Sequence, residues 1–135
     1  MQIIECSIDS ICKVPFFSTR IQGSLPSSTD NILFNKIDLN NKLIQNPLTT
    51  FFVKIASESM IDAGINKDDL LIVDKNLVPI HNNIVIAVVN NEFTVKKLKF
   101  NDTGTYLTAE NLITPAIKID ENSCYVCGVV TSIIR

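Results

Sequence analysis

The stretch IVIAVVNNEFTVKKLKF, residues 84–100, decides the fold class of this 135-residue chain. Two runs rich in β-branched and aromatic residues flank the polar pair Asn90 and Asn91. Such residues favour strands, and asparagine tolerates the positive φ that tight hairpin turns require. The stretch therefore predicts a β-hairpin.

Short β-rich runs of the same kind recur from Thr50 onward. They cover residues 51–56, 70–74, 84–89, 93–100, 105–108 and 125–133, with Gly, Asn, Asp and Pro between them. This rhythm is typical of antiparallel structure, so we predict a mainly β domain. Residues 37–44 predict a short helix that ends before Pro47, because the residue preceding a proline is disfavoured in helices.

The chain before these runs has a different character. Residues 1–20 show neither strand alternation nor a helical stripe, and residues 23–28, GSLPSS, are small and turn-prone. Such a run is typical of an exposed connection. We expect an N-terminal arm over residues 1–23, a flexible connection over 24–40 and a folded domain over 41–135.

Composition and charge argue against several classes of protein. Hydrophobic residues make up 46% of the chain and charged residues 19%, as in an ordinary globular protein. The formal net charge of -2 argues against direct DNA binding, which depends on clustered Lys and Arg. Neither a signal-peptide core nor an apolar run of ~18 residues is present. We expect a cytoplasmic protein with reduced thiols and no membrane contact.

A serine nucleophile needs a group that accepts its proton, and histidine is scarce here. The chain has one histidine, His81, in a predicted loop, where we expect an ordinary surface residue. Lysine can serve instead only if burial lowers its pKa from about 10.4 towards neutrality. A buried lysine is therefore the candidate base.

The strand predicted over residues 93–100 contains candidate lysines on both faces. Successive side chains point to opposite faces, so Lys96 shares its face with Thr94 and Leu98. Lys97 shares the other face with Lys99, a second cation. The pattern favours Lys96 as the desolvated lysine, although it also fits a mixed strand whose lysines are all solvated.

Ser59 follows the predicted strand 51–56 directly, in the segment SESMID at 57–62. A junction between a strand and a turn lets a nucleophile project while nearby backbone N–H groups face a developing oxyanion. The same position also suits a turn or helix-capping serine. Both interpretations remain open on position alone.

Four segments resemble the UmuD/LexA family of self-cleaving proteins in order and spacing: FVK at 52–54, SMID at 59–62, DLLIVD at 69–74 and EFTVKKL at 92–98. The resemblance runs from about Phe16 to Val130. It implies a compact, twisted antiparallel β domain of the LexA/signal-peptidase type with a flexible N-terminal arm. It also implies a Ser-Lys peptidase with Ser59 as the nucleophile and Lys96 as the general base.

The resemblance further implies a substrate, because members of this family cut themselves at a small-residue pair before the peptidase domain. Anchored on residues 37–40 and Pro26, the family's Cys-Gly or Ala-Gly pair falls on Gly23 and Ser24. Serine here replaces the glycine after the cut, and a cut between Gln22 and Gly23 is an alternative. The arm over residues 1–23 is the part removed.

The role implied by the resemblance is in the SOS response to DNA damage. A RecA filament on single-stranded DNA would stimulate the cut, and the trimmed homodimer would serve a UmuC-type polymerase in error-prone translesion synthesis. No cofactor, metal or sequence-specific DNA contact is expected. The alternative is a UmuD-like interaction module that regulates a polymerase without cutting itself.

Two related activities fit less well. A LexA-type repressor needs a DNA-binding domain of some 60 or more residues before the cleavage site, where Met1 to Gln22 stand here, and a leader peptidase needs a membrane anchor. Cys124 and Cys127 have the spacing of half a zinc site, but Cys6 and Cys12 do not form a second half, so we expect core thiols. The carboxylates of the 62–74 region do not fit a calcium loop, and solvated turn residues are expected there: Asp62, Asp68, Asp69 and Asp74.

Overall fold

The computed structural model describes residues 2–5, 13–17, 34–56, 64–109, 115–120 and 122–135. Its elements are β1 (Gln2–Glu5), β2 (Lys13–Phe17), β3 (Phe34–Asp38), α1 (Leu39–Leu43), β4 (Thr50–Lys54), β5 (Leu70–Asp74), β6 (Ile84–Val89), β7 (Glu92–Asn101), β8 (Gly104–Thr108), β9 (Ile117–Lys118) and β10 (Cys124–Ile134). The chain divides into two compact units, Met1–Cys6 with Asn46–Arg135, and Ser7–Gln45.

The described strands of the larger unit form an eight-stranded sheet, in the order β1-β4-β5-β10-β6-β7-β8-β9. Every neighbouring pair of strands in it is antiparallel. The predicted mainly β, antiparallel fold is therefore confirmed, and each of the six predicted strands is present with its ends within two residues of the prediction. The sequence patterns predicted neither β9 nor the strands that precede α1.

The predicted hairpin is confirmed. Val89 pairs with Glu92, so Asn90 and Asn91 form the two-residue turn between β6 and β7. Their φ angles are 51° and 66°, and positive values at both central residues are the requirement of a type I′ turn. The turn fixes the register of β7 on β6, which places Lys96 opposite Val85.

Both faces of the sheet are covered by apolar side chains. Along β6, Ile86 belongs to one buried cluster, while Val85 and Ala87 belong to another. Because successive side chains point to opposite faces, a strand buried on both sides is a continuous apolar run, which explains the sequence IVIAVV. β6 therefore lies at the centre of the core.

β10 lies between β5 and β6 and carries two irregularities. Its register shifts between Val126 and Gly128 on the β6 side, and between Val130 and Ser132 on the β5 side. A Cβ atom at Gly128 would lie 2.6 Å from Cγ1 of Val73, closer than carbon atoms approach without displacement. Glycine at this position therefore permits β10 to approach β5.

In the smaller unit, β2 and β3 pair antiparallel and α1 follows directly. The Asp38 carboxylate caps the helix by accepting from the Asn40 N–H at 3.0 Å. The predicted helix is thus confirmed within residues 39–43, although its first two predicted residues end β3 instead. Among the helices in the described ranges, none has the length and apolar character required to span a membrane.

Candidate active site

Lys96 lies in the middle of β7 and is almost completely buried, with 8% of its surface exposed. Its neighbours on the same face are Val85, directly opposite on β6, and Leu98, two residues along β7; both side chains are buried in the core. The adjacent Lys97 is only half-buried. The alternation that favoured Lys96 as the desolvated lysine is therefore confirmed.

Burial lowers the pKa of Lys96 from its ordinary value of 10.5. The cause is loss of water around the ammonium group, which disfavours the charged form. Within the described part of the chain, neither an ion pair nor a hydrogen bond to Lys96 offsets this loss. The side chain is thus driven towards the neutral amine, the form that can accept a proton.

Lys96 lines a surface pocket of about 300 Å³. The pocket is lined by Val89, Asn90, Glu92, Phe93, Thr94, Lys96 and Ile117. Its volume lies at the lower end of the range for ligand-binding clefts, ~300–1,000 Å³. Mixed apolar and polar walls with one desolvated amine are suited to holding a short segment of peptide beside a base.

Ser59, Gly23 and Ser24 lie outside the described residues, but the structure describes both ends of the segment that carries Ser59. Before it, the Ile55 N–H donates to the Asp69 carbonyl at 3.0 Å, and the Ile55 carbonyl accepts from the Asp68 N–H at 2.8 Å. The strand end that precedes Ser59 is thus fixed to the start of β5.

The other end of this segment is held by Arg135. Its Nη2 donates to the Gly64 carbonyl, and its Nε lies 3.7 Å from the Asp69 carboxylate. That carboxylate also accepts from the Asn66 N–H at 2.8 Å. No local sequence pattern predicts this cluster, because Arg135 lies 71 residues from Gly64.

The region that contains Lys96 and Ser59 matches a known protein family. Residues 15–131 match the Peptidase S24-like family. This chain belongs to that family. The match includes β7 with Lys96 and the segment that carries Ser59, and it supports a serine peptidase activity.

Individual relatives of this S24-like protein are similar over most of its length. It is 37% identical to protein ImpA of Salmonella typhimurium over 121 residues, 90% of this chain and 83% of ImpA. Protein SamA of Salmonella typhimurium (strain LT2) is 35% identical over 121 residues, 90% of this chain and 84% of SamA. The LexA repressor of Clostridium novyi is 36% identical over 85 residues, 63% of this chain and 42% of the repressor. The resemblance to the UmuD/LexA family is confirmed, which supports a general role in SOS mutagenesis.

Two carboxylates of the S24-like domain correct the expectation of solvated turn residues. Asp69 and Asp74 are 5% and 3% exposed. Asp74 accepts hydrogen bonds from Thr49 Oγ1 at 2.7 Å, the Asn76 N–H at 2.9 Å and Asn46 Nδ2 at 3.0 Å. Burial alone would raise the pKa of Asp74, but these hydrogen bonds outweigh it and hold the pKa below its ordinary value. Asp74 is therefore a charged structural link between residues 46–49 and β5.

His81 is exposed, as the sequence predicted, and it fixes its loop to the end of β7. Its Nδ1 accepts from the Phe100 N–H at 2.8 Å, and the two rings lie 6.1 Å apart. Because this hydrogen bond occupies Nδ1 as an acceptor, the ring has a positioning role in the loop.

The cysteine pair of β10 contains thiols in two environments. Cys124 is buried, as expected of a core thiol, whereas Cys127 is half-buried and its pKa is raised by burial. In the described ranges, no group of three or more His, Cys, Asp or Glu side chains could hold a metal ion.

Proposed function

We propose that this chain is a serine endopeptidase that cuts its own N-terminal arm, with Ser59 as the nucleophile and Lys96 as the general base. The observation that carries the proposal is the burial of Lys96, which lowers the pKa of an amine that opens onto a pocket. Membership of the S24-like family supplies the matching chemical class.

The reaction begins when the neutral Nζ of Lys96 accepts the proton of the Ser59 hydroxyl. The serine oxygen attacks the carbonyl carbon of Gly23, and the resulting intermediate breaks its bond to the Ser24 nitrogen. Lys96 then returns the proton to that nitrogen as the leaving amine departs. Water hydrolyses the acyl-enzyme, again with Lys96 as the base, and restores Ser59.

Regulation lies in the docking of the cleavage segment. When the segment is outside the pocket, water can reach Lys96 and favour its charged form. A RecA filament on single-stranded DNA favours the docked state and thereby acts as the activator. The trimmed homodimer then serves as an accessory subunit of a UmuC-type, error-prone translesion polymerase in the cytoplasm.

Ser24 favours one second candidate, because it replaces the glycine that the family resemblance places after the cut. In this candidate the chain binds and regulates a polymerase without cutting itself. The fold and homodimer remain the same, and the difference lies in the absence of the reaction.

Incubation with RecA, single-stranded DNA and a non-hydrolysable ATP analogue separates the two candidates. Intact mass spectrometry should show fragments that split after Gly23, and these should be absent in Ser59→Ala and Lys96→Ala. A split after Gln22 would move the cut by one residue. An uncut wild-type chain under conditions that cut a known substrate of the filament would favour the interaction module.

A further inference from the structure

The first strand of the eight-stranded sheet lies at its edge. β1 (Gln2–Glu5) pairs antiparallel with β4, with Gln2 opposite Lys54 and Glu5 opposite Phe51. The other side of β4 pairs with β5. Among the described strands, β1 is the one that covers the outer side of β4.

Hydrogen bonds at the two ends of β4 show which residues face β5. Before β4, the Thr49 carbonyl accepts from the Lys75 N–H at 3.0 Å. After β4, the Ile55 N–H donates to the Asp69 carbonyl at 3.0 Å. The backbone groups of residues 49 and 55 therefore point towards the β5 side.

The residues whose backbone faces β1 follow from this alternation. Alternate residues of an antiparallel strand direct their N–H and C=O groups to opposite neighbours. Phe51 and Val53, which have the same parity as residues 49 and 55, face β5. Phe52 and Lys54 face β1, and removal of β1 would leave their N–H groups without a strand partner.

An uncovered β4 would be an attractive site for another strand. Its sequence, TFFVK, is rich in aromatic and β-branched residues and has one charged residue, Lys54. Charged side chains and prolines make an edge resist pairing, whereas apolar edges with free N–H and C=O groups accept extended peptides by strand addition. A carboxylate in the incoming strand would be favoured opposite Lys54, which is exposed. An apolar residue would be favoured opposite Val53, which is buried.

We infer that Gln2–Glu5 is an exchangeable edge strand, and that the β4 edge is a docking surface for an extended segment of a partner protein. The incoming segment runs antiparallel to β4 in the register of β1, with an apolar residue opposite Val53 and an acidic residue opposite Lys54. The inference rests on the proposed function in one respect, since self-cleavage after Gly23 is what separates β1 from the sheet.

Covalent attachment explains why a cut would open this edge. Before the cut, β1 meets β4 within one chain, at an effective concentration of up to roughly 1 mM. After the cut, the pairing becomes intermolecular, and a ladder of four residues cannot persist at micromolar concentration. The cut therefore converts an occupied edge into a vacant one.

The test supplies the cut from outside, so that it does not depend on Ser59. The full chain carries Ser59→Ala and an inserted site for an external protease between residues 23 and 24. Amide exchange is followed by NMR before the cut and after removal of the fragment. We expect at least 10-fold faster exchange at Phe52 and Lys54, while Phe51 and Val53 remain protected by β5 as internal controls.

A synthetic peptide of residues 1–8, with Cys6→Ser, is the probe for the vacant edge. At about 1 mM, the effective concentration in the uncut chain, it should restore protection at Phe52 and Lys54 of the cut chain, and it should bind the uncut chain at least 10-fold more weakly. The Gln2→Glu peptide should bind 2- to 5-fold more tightly, and Lys54→Ala in the cut chain should remove that gain. The Ile4→Pro peptide should not bind, because proline cannot donate to the ladder.

Unchanged exchange at Phe52 and Lys54 after the cut would overturn the inference. Loss of protection throughout β5 and β6 would also overturn it, because β1 would then be required for folding rather than exchangeable. An uncut Ile4→Pro chain provides a second measurement, in which the same alternate pattern of exposed amides is expected. Failure of self-cleavage alone would count against the proposed function and leave this result untouched.

Discussion

Two buried ionisable side chains of the same sheet, Asp74 and Lys96, lie in opposite kinds of surroundings. Asp74 at the end of β5 accepts three hydrogen bonds, which hold its pKa low and keep the carboxylate charged. Lys96 in β7 has no such compensation within the described residues, and burial lowers the pKa of the amine. A lowered pKa therefore favours the charged form of Asp74 and the neutral form of Lys96.

This difference distinguishes a charge that stabilises the fold from an amine that can accept a proton. Donors from three residues make the charge of Asp74 useful for fixing residues 46–49 to β5. Burial without a described partner disfavours the charged form of Lys96, which is unfavourable for folding but favours the neutral form that a general base requires. Substitutions and pH changes should therefore act differently at the two sites.

The largest effect, on the rate of self-cleavage, is expected from replacing Lys96. Lys96→Met, which keeps the length of the side chain, should slow self-cleavage by about 10²- to 10⁴-fold, the usual contribution of a general base. Its free energy of unfolding at pH 7 should be unchanged or higher, because a desolvated cation is removed. Cleavage is measured by mass spectrometry and stability by urea unfolding. A loss of stability without a loss of cleavage would contradict the assignment.

The next effect concerns the pH dependence of cleavage in the absence of RecA. The fraction of neutral Lys96 increases about 10-fold per pH unit below its pKa, so the cleavage rate should rise from pH 7 until that pKa is passed. The rate is measured by quantifying fragments across pH 7–10, with Ser59→Ala as the uncut control. A flat profile would argue against a lysine base.

A smaller effect, on stability alone, is expected from replacing Asp74. Asp74→Ala leaves the donors of Asn46, Thr49 and Asn76 without their acceptor and should cost about 2–4 kcal/mol in the free energy of unfolding. Asp102→Ala, at an exposed position, is the matched control and should change stability by less than about 0.5 kcal/mol. Equal effects of the two substitutions would contradict the structural role of Asp74.

The smallest effects are expected in the pH dependence of stability, where the two sites act at opposite ends. The stabilisation from Asp74 is present above its unfolded pKa near 3.8 and is lost as pH falls through the lower folded pKa. At Lys96, the unfolded chain binds more protons between the lowered folded pKa and 10.5, so stability rises with pH there. Urea titrations should show that Asp74→Asn removes the loss of stability at acid pH. Lys96→Met should remove the rise in stability at alkaline pH.

Local patterns predicted the hairpin and the buried lysine because both depend on neighbouring residues. The Asn90-Asn91 turn determines the register, and two-residue alternation then separates Lys96 from Lys97. The hydrogen bonds of Asp74 were missed because two of their donors come from residues 25 and 28 positions away. The sequence predicts that a carboxylate next to turn residues is solvated, and only the tertiary packing shows that it is buried.

Two of the unpredicted strands, β1 and β9, were missed for a different reason. β9 has two residues and β1 has four, so neither offers enough alternation to distinguish a strand from a loop. Their pairing depends on the neighbours β8 and β4, which complete their hydrogen bonds. The roles of Ser59 and of the Gly23-Ser24 pair stay predictions from the family resemblance.

The contact between Gly128 and Val73 limits how this sheet can vary among related sequences. A side chain at position 128 would collide with a β-branched residue that has little rotational freedom. Relatives that carry alanine or a larger residue at the first position should therefore carry a smaller residue at the second. The two positions should covary in size, although 55 residues of chain separate them.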